Sequence, residues 1–222
     1  MKTRIIYEDN DILVCIKPAG FAVQSAHISS GDMESELKSY LRKTTGSPYL
    51  GIVHRLDQPV GGVMVFAKND RAAASLSRQV QSGSGKTMGK YYEALVLGSD
   101  ISDKEVLVDY MVKDNKTNTS RVTSSNDKQA KKASLSYKVL ERYEDGYARI
   151  GVQLSTGRHH QIRVQMAHAG HPLLGDQKYG NDQSMELSEK LGLKNVQLRA
   201  TRLEFIHPST NKKMVFDDKT VS

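Results

Sequence analysis

A continuous apolar run, Val63-Met64-Val65-Phe66-Ala67, closes on Lys68 and is led in by Gly61-Gly62. A run of that length, bounded by glycine and a charge, reads as a buried strand. Just before it the chain places His54, Arg55 and Asp57 within four positions, followed by Pro59. The polar cluster therefore falls on the turn that enters a core strand, and turns on rigid scaffolds are where chemistry is usually placed. A carboxylate flanked by Arg and His beside Pro and Gly is a candidate nucleophile or general base. An ordinary surface turn with a local Arg-Asp pair would carry the same letters.

The chain of 222 residues is long enough for one sizeable core and is read as a single domain, 1–222. Its net charge of +7 favours a polyanionic partner, nucleic acid first. The single cysteine, Cys15, lies in an apolar run and reads as a buried thiol; one cysteine excludes an intrachain disulfide. No stretch is long and apolar enough to span a bilayer, so no membrane partner is expected and a reducing, cytoplasmic setting is.

Ile5-Ile6-Tyr7 and Ile12 to Ile16 form a hairpin-like pair, stopped by Lys17-Pro18-Ala19-Gly20. Asp32 is a candidate cap for a helix from Met33 to about Lys43, with Met33, Leu37, Tyr40 and Leu41 on one face. A second helix follows Asn69 or Asp70 and carries Ala73, Leu76 and Val80. Ser82 to Thr87 has the ring of a phosphate-binding loop, but Val80 stands where that pattern needs glycine and the segment follows a helix, so a flexible linker is expected. Lys90 to Leu97 alternates, putting Tyr92, Ala94 and Val96 on one face of a strand. Residues 113–132 are polar and lysine-rich and read as an exposed loop or hairpin. Glu144-Asp145-Gly146 separates two further strands. Ser155-Thr156-Gly157 is expected to cap a helix running to Ala169, with Ile162, Met166 and Ala169 buried. His159, His160, His168 and His171 cluster there, but their spacing fits no common zinc motif and no metal is expected. A short helix over Leu187 to Leu193 and a late strand over Val196 to Ile206 complete the reading.

Four stretches, in order, resemble the RluA-type pseudouridine synthases. They are Lys17-Pro18-Ala19-Gly20; His54-Arg55-Leu56-Asp57 with its following strand; Lys90-Tyr91-Tyr92-Glu93-Ala94-Leu95-Val96-Leu97-Gly98; and Gly157-Arg158-His159-His160-Gln161-Ile162-Arg163 continuing to Gly180. The chain departs from the pattern at Val60-Gly61, where Thr-Ser is usual, and at Gln165 and Arg199, where His is common.

The resemblance implies an α+β fold: a mixed, largely antiparallel sheet flanked by helices with a central active-site cleft. It implies the catalytic domain alone, without an appended N-terminal RNA-binding domain. The implied activity is isomerisation of a uridine in RNA, with no cofactor and no metal. Asp57 is then the nucleophile, Arg163 its buried partner, and Tyr92 the ring that stacks on the target base and handles a proton. Ile162 packs under the base. Arg55 fills the space the base leaves, and His54, Lys17 and Lys90 are further candidate substrate-binding residues. The implied partner is structured ribosomal or transfer RNA, a stem-loop by preference. A catalytically inactive RNA-binding relative is the main alternative, and a metal-dependent hydrolase built on the histidines a second. Nothing in the sequence fixes an oligomeric state.

Overall fold

The computed structural model describes residues 2–25, 31–81 and 88–218. In chain order they form β1 (Arg4–Glu8), β2 (Ile12–Lys17), α1 (Met33–Thr45), β3 (Gly51–Ile52), β4 (Gly61–Ala67), α2 (Asp70–Val80), β5 (Gly89–Leu97), β6 (Lys104–Asp114), β7 (Thr119–Thr123), β8 (Lys131–Tyr143), β9 (Tyr147–Leu154), α3 (Gln161–His168), α4 (Asp182–Lys190), β10 (Leu198–Ile206) and β11 (Lys213–Asp217). The architecture is α+β, with mixed, largely antiparallel sheet flanked by helices. The chain divides into two compact units, Met1–Lys90 with Ala200–Ser222, and Tyr91–Arg199. The phosphate-loop-like segment Ser82 to Thr87 lies outside the described residues.

The first unit is built on the strand order β1-β2-β4-β10, with β3 on β4 and β11 on β10. β2 and β4 pair antiparallel, Leu13 opposite Phe66 and Cys15 opposite Met64. Every residue of both strands is buried, as the continuous apolar runs demand. One face packs Val14, Val63, Val65 and Ala67 with Leu76 of α2 and Phe205 of β10. Each such side chain contributes roughly 1.5–3 kcal/mol by leaving water. Cys15 lies on the other face; burial pushes its thiol pKa up, and Glu36 of α1 adds to the rise.

Both early helices begin where the sequence caps them. The Asp32 side chain accepts the Ser35 N–H at 2.8 Å, and the Asn69 side chain accepts that of Ala72 at 2.9 Å. Gly62 has φ 125°, and a Cβ there would lie 2.1 Å from the Ala200 carbonyl oxygen. Glycine at this position lets β10 approach β4.

The second unit has the order β5-β9-β8-β6-β7. β5 buries Tyr92, Ala94 and Val96 in alternation, as its pattern predicts. Residues 113–132 form the end of β6, a tight turn, β7, a short loop and the start of β8, so the hairpin is the correct half of the expectation. β8 and β9 pair antiparallel around Gly146, with a bulge between Val139 and Glu141.

Three expectations need correction here. α3 starts at Gln161, not near Ser155, and His160 before it has φ 55°. The Gln161 side chain is the reason: its Oε1 accepts the Thr156 hydroxyl at 2.8 Å and the Arg158 N–H at 2.9 Å, which ties residues 156–158 into a turn. α3 therefore ends at His168, and Ala169, expected to be buried, is exposed. α4 covers Asp182–Lys190 rather than 187–193, because Asn181 and Ser184 form a capping box.

Candidate active site

In the first unit, the Asp57 turn is tied to the end of β2. Lys17 is fully buried at the strand's last position. Its Nζ donates to the carbonyls of Gln58 at 2.8 Å, Val60 at 2.7 Å and Pro18 at 3.1 Å. The Gly20 N–H adds a bond to the Gln58 carbonyl at 2.9 Å, and the Val60 N–H closes the turn on the Asp57 carbonyl at 3.0 Å. One ammonium group thus clamps the main chain that follows Asp57. Burial pulls the Lys17 pKa down from 10.5 to about 8, and the Asp57 charge acts against that fall. Asp57 itself is half-buried, which suits a carboxylate that must meet a substrate.

His54 precedes it. Its Nε2 accepts the Val65 N–H at 3.2 Å, so the ring continues the short β3–β4 pairing where the strand backbone stops. An acceptor nitrogen must be unprotonated. Burial of the ring, and then the Lys90 charge, push its pKa down to about 3. Neutral His54 is therefore an orienting group for this turn at any physiological pH. Burial lowers the Lys90 pKa as well. Arg55 is exposed.

In the second unit, Arg163 is buried on α3 and meets Asp176 through two parallel bonds, Nε to Oδ2 at 2.7 Å and Nη2 to Oδ1 at 2.6 Å. Asp176 also accepts the N–H groups of Lys178 and Tyr179, at 3.0 and 3.2 Å. The Tyr179 ring lies under the guanidinium, 5.0 Å from its carbon. Removing one partner of such a buried pair costs about 3–5 kcal/mol, so the arginine's direction is strongly fixed. The Tyr179 hydroxyl accepts the Ser120 N–H at 2.9 Å and lies 2.7 Å from His160 Nδ1. Burial, then Arg163 and Lys178, push the His160 pKa down to about 4, which favours the neutral ring. Ile162 is buried beside Arg163, and Tyr92 is buried on β5. Gln165, at a departure from the family pattern, is buried between Gln161 and Asp109, bonded at 2.9 and 2.7 Å.

The structure thus joins Lys17 to the Asp57 turn and His54 to β4 in one unit, and fixes Arg163 in the other. Asp176 was not among the residues the sequence singled out. Its signal was present in the Gly175-Asp176-Gln177-Lys178-Tyr179-Gly180 motif, but its pairing to an arginine thirteen residues earlier was not. Among the described residues, the group spaced so that it could hold a cation is Asp9, Asp11 and His207. Asp9 is already bonded to His207 at 2.8 Å and to the Ile12 N–H at 2.9 Å.

The fold is that of a pseudouridylate synthase domain. Human RNA Pseudouridylate Synthase Domain Containing 4 superposes with a TM-score of 0.75 at 22% identity, covering 97% of this chain and 88% of that one. Human RNA Pseudouridylate Synthase Domain Containing 1 gives a TM-score of 0.73 at 22% identity, covering 97% and 82%. The chain belongs to the RNA pseudouridylate synthase family, whose model matches residues 11–168. It is 38% identical to ribosomal large subunit pseudouridine synthase D of Pasteurella multocida over 218 residues, 95% of this chain and 65% of that protein. It is also 38% identical to an uncharacterized RNA pseudouridine synthase of Aquifex aeolicus, over 96% of this chain and 68% of that one. The chain therefore spans about two thirds of the length of these relatives.

Proposed function

We propose that this chain is an RNA pseudouridine synthase that isomerises a uridine in a stem-loop of ribosomal large-subunit RNA, using Asp57 as the nucleophile and no cofactor. The observation that carries the reading is the clamped acidic turn, with buried Lys17 bonded to the carbonyls of Gln58 and Val60 on the far side of Asp57. A relative that only binds RNA has no use for a carboxylate on a turn clamped by a buried cation, because a negative charge repels phosphate. Family membership and relatives named as ribosomal synthases support the substrate. Such a substrate goes with a cytoplasmic setting, and the two units together serve as one catalytic domain.

In the reaction, the bond from ribose C1′ to uracil N1 breaks and one from C1′ to C5 forms. C5 gives up a proton and N1 gains one. The base leaves its stack to reach the site. Arg55, exposed and planar, occupies the vacated space. Arg163, held by Asp176, is kept as a catalytic candidate on the family resemblance, and Tyr92 stacks on the base and moves the C5 proton. Tyr92→Phe is then expected to bind RNA within about twofold of wild type and to lose about 10²–10⁴ in turnover. Single-turnover kinetics at saturating RNA reads this; an unchanged rate would leave the ring a stacking role only.

The proposal is tested by giving the purified protein unmodified transcripts of large-subunit ribosomal RNA and of transfer RNAs, then mapping pseudouridine chemically. Modification of one or a few uridines in the ribosomal transcript is expected. Tight binding without any pseudouridine would make the protein an RNA-binding relative.

A further inference from the structure

The second unit carries a pocket of about 520 Å³ outside the site described above. Its walls are the end of β6, Ser120 of β7, the loop leading into β8, and the Gly157–His159 turn ahead of α3. Lys113, Lys128, Lys131 and Arg158 line it, and no carboxylate does. The two nearby acids are turned to the backbone. Asp114 accepts the Lys116 N–H at 2.8 Å and Asp127 that of Gln129 at 2.9 Å. No carboxylate among the described residues pairs with Lys113, Lys128 or Lys131, and all three are exposed. Arg158 is braced: its Nε donates to the Lys132 carbonyl at 2.8 Å and its N–H to Gln161. That bond holds its charged end in the pocket wall instead of leaving it to wander in solvent. Ser120 Oγ lies 2.9 Å from His159 Nδ1 on the same wall.

Four cations without a counter-carboxylate, drawn from separate segments around one concavity, repel each other unless an anion sits among them. The geometry points to this pocket as a docking site for the phosphodiester backbone of RNA away from the target nucleotide. This rests on the synthase reading for the identity of the polyanion. The Gly157–His159 turn leads directly into α3, so a strand held here is registered against the helix that bears Ile162 and Arg163. Phosphate contacts of this kind set position and affinity and carry no sequence information.

The test compares two triple variants on an unmodified large-subunit ribosomal RNA transcript. One is Lys113→Gln, Lys128→Gln, Lys131→Gln. The other, Lys104→Gln, Lys138→Gln, Lys194→Gln, removes equal charge from exposed lysines of the same unit outside the pocket. The pocket variant is expected to bind about tenfold or more weakly. It should also flatten the slope of log affinity against log salt by about 2–3, because each phosphate left unneutralised takes roughly 0.7–0.9 from that slope. The control should keep the wild-type slope and should match wild type in single-turnover pseudouridine formation at saturating RNA. Equal slopes in the two variants would overturn the docking site. So would inorganic phosphate that, at constant ionic strength, displaces RNA equally well from wild type and from the pocket variant. A wild-type protein that forms no pseudouridine yet shows the slope difference would leave the pocket standing and remove the synthase reading; normal pseudouridine formation with equal slopes does the reverse.

Discussion

A folded Asp57→Asn protein is expected to form no pseudouridine. The change keeps the side chain's size and removes its charge, and a neutral amide is a poor attacking group. The fold should persist, because the turn is held through the main-chain carbonyls of Gln58 and Val60. RNA affinity should stay level or rise, since a negative charge near the phosphates has gone. A further consequence is local. Asp57 is the charge that holds the Lys17 pKa up against burial, so in the variant that pKa should fall further below about 8. A lysine-selective NMR titration reads it. If Asp57 served only to pair with a cation, the variant would lose stability and keep its turnover per folded molecule. Pseudouridine formed per folded enzyme, measured beside a melting curve and an RNA titration, separates these outcomes. Substantial turnover in the folded variant would remove the aspartate mechanism.

What the sequence reveals about this chain depends on how local the determining physics is. The β2 and β4 runs are readable because a strand buried on both faces has no polar positions to confuse the period. The starts of α1 and α2 are readable because Asp32 and Asn69 cap them within three residues. α3 is not, because its start is set by Gln161, which bonds back to the Ser134 carbonyl as well as to Thr156 and Arg158. β6 and β11 escaped notice; β6 is mostly exposed or half-buried, and β11 has only five residues, of which Met214 and Phe216 face the core. The Asp57 turn stood out by residue type. The parts that hold the site did not: Asp176 on Arg163, and Lys17 on carbonyls up to 43 residues later in the chain. From sequence Lys17 is a candidate substrate-binding residue, with no sign of which groups it meets. Only the tertiary fold shows that its ammonium is surrounded by acceptors.

Those surroundings make Lys17→Met disruptive to both stability and turnover. Methionine fills the same space and offers no donor, so the carbonyls of Gln58, Val60 and Pro18 lose a shared charged partner. Leaving buried acceptors unsatisfied costs about 1–3 kcal/mol each, and partial hydration of the turn reduces the sum to about 3 kcal/mol. For a chain of this size that is a fall in melting temperature of roughly 6–12 °C. Turnover per folded molecule should also collapse, because the turn that aims Asp57 is no longer fixed. The wild-type pH dependence gives an independent check with opposite signs. The folded pKa of Lys17, about 8, lies below the ordinary 10.5. Below pH 8 the group is charged in both folded and unfolded chains, and the folded state carries the whole cost of burying it. Between about 8 and 10.5 the unfolded chain binds more protons, so this group's contribution to stability rises with pH. Turnover should move the other way, falling above about pH 8 as the ammonium beside Asp57 is lost. Activity that declines through this window in a protein that does not lose stability assigns the loss to the site. A decline that follows the melting curve, or a Lys17→Met protein with wild-type stability and turnover, would show that the clamp on the Asp57 turn is dispensable.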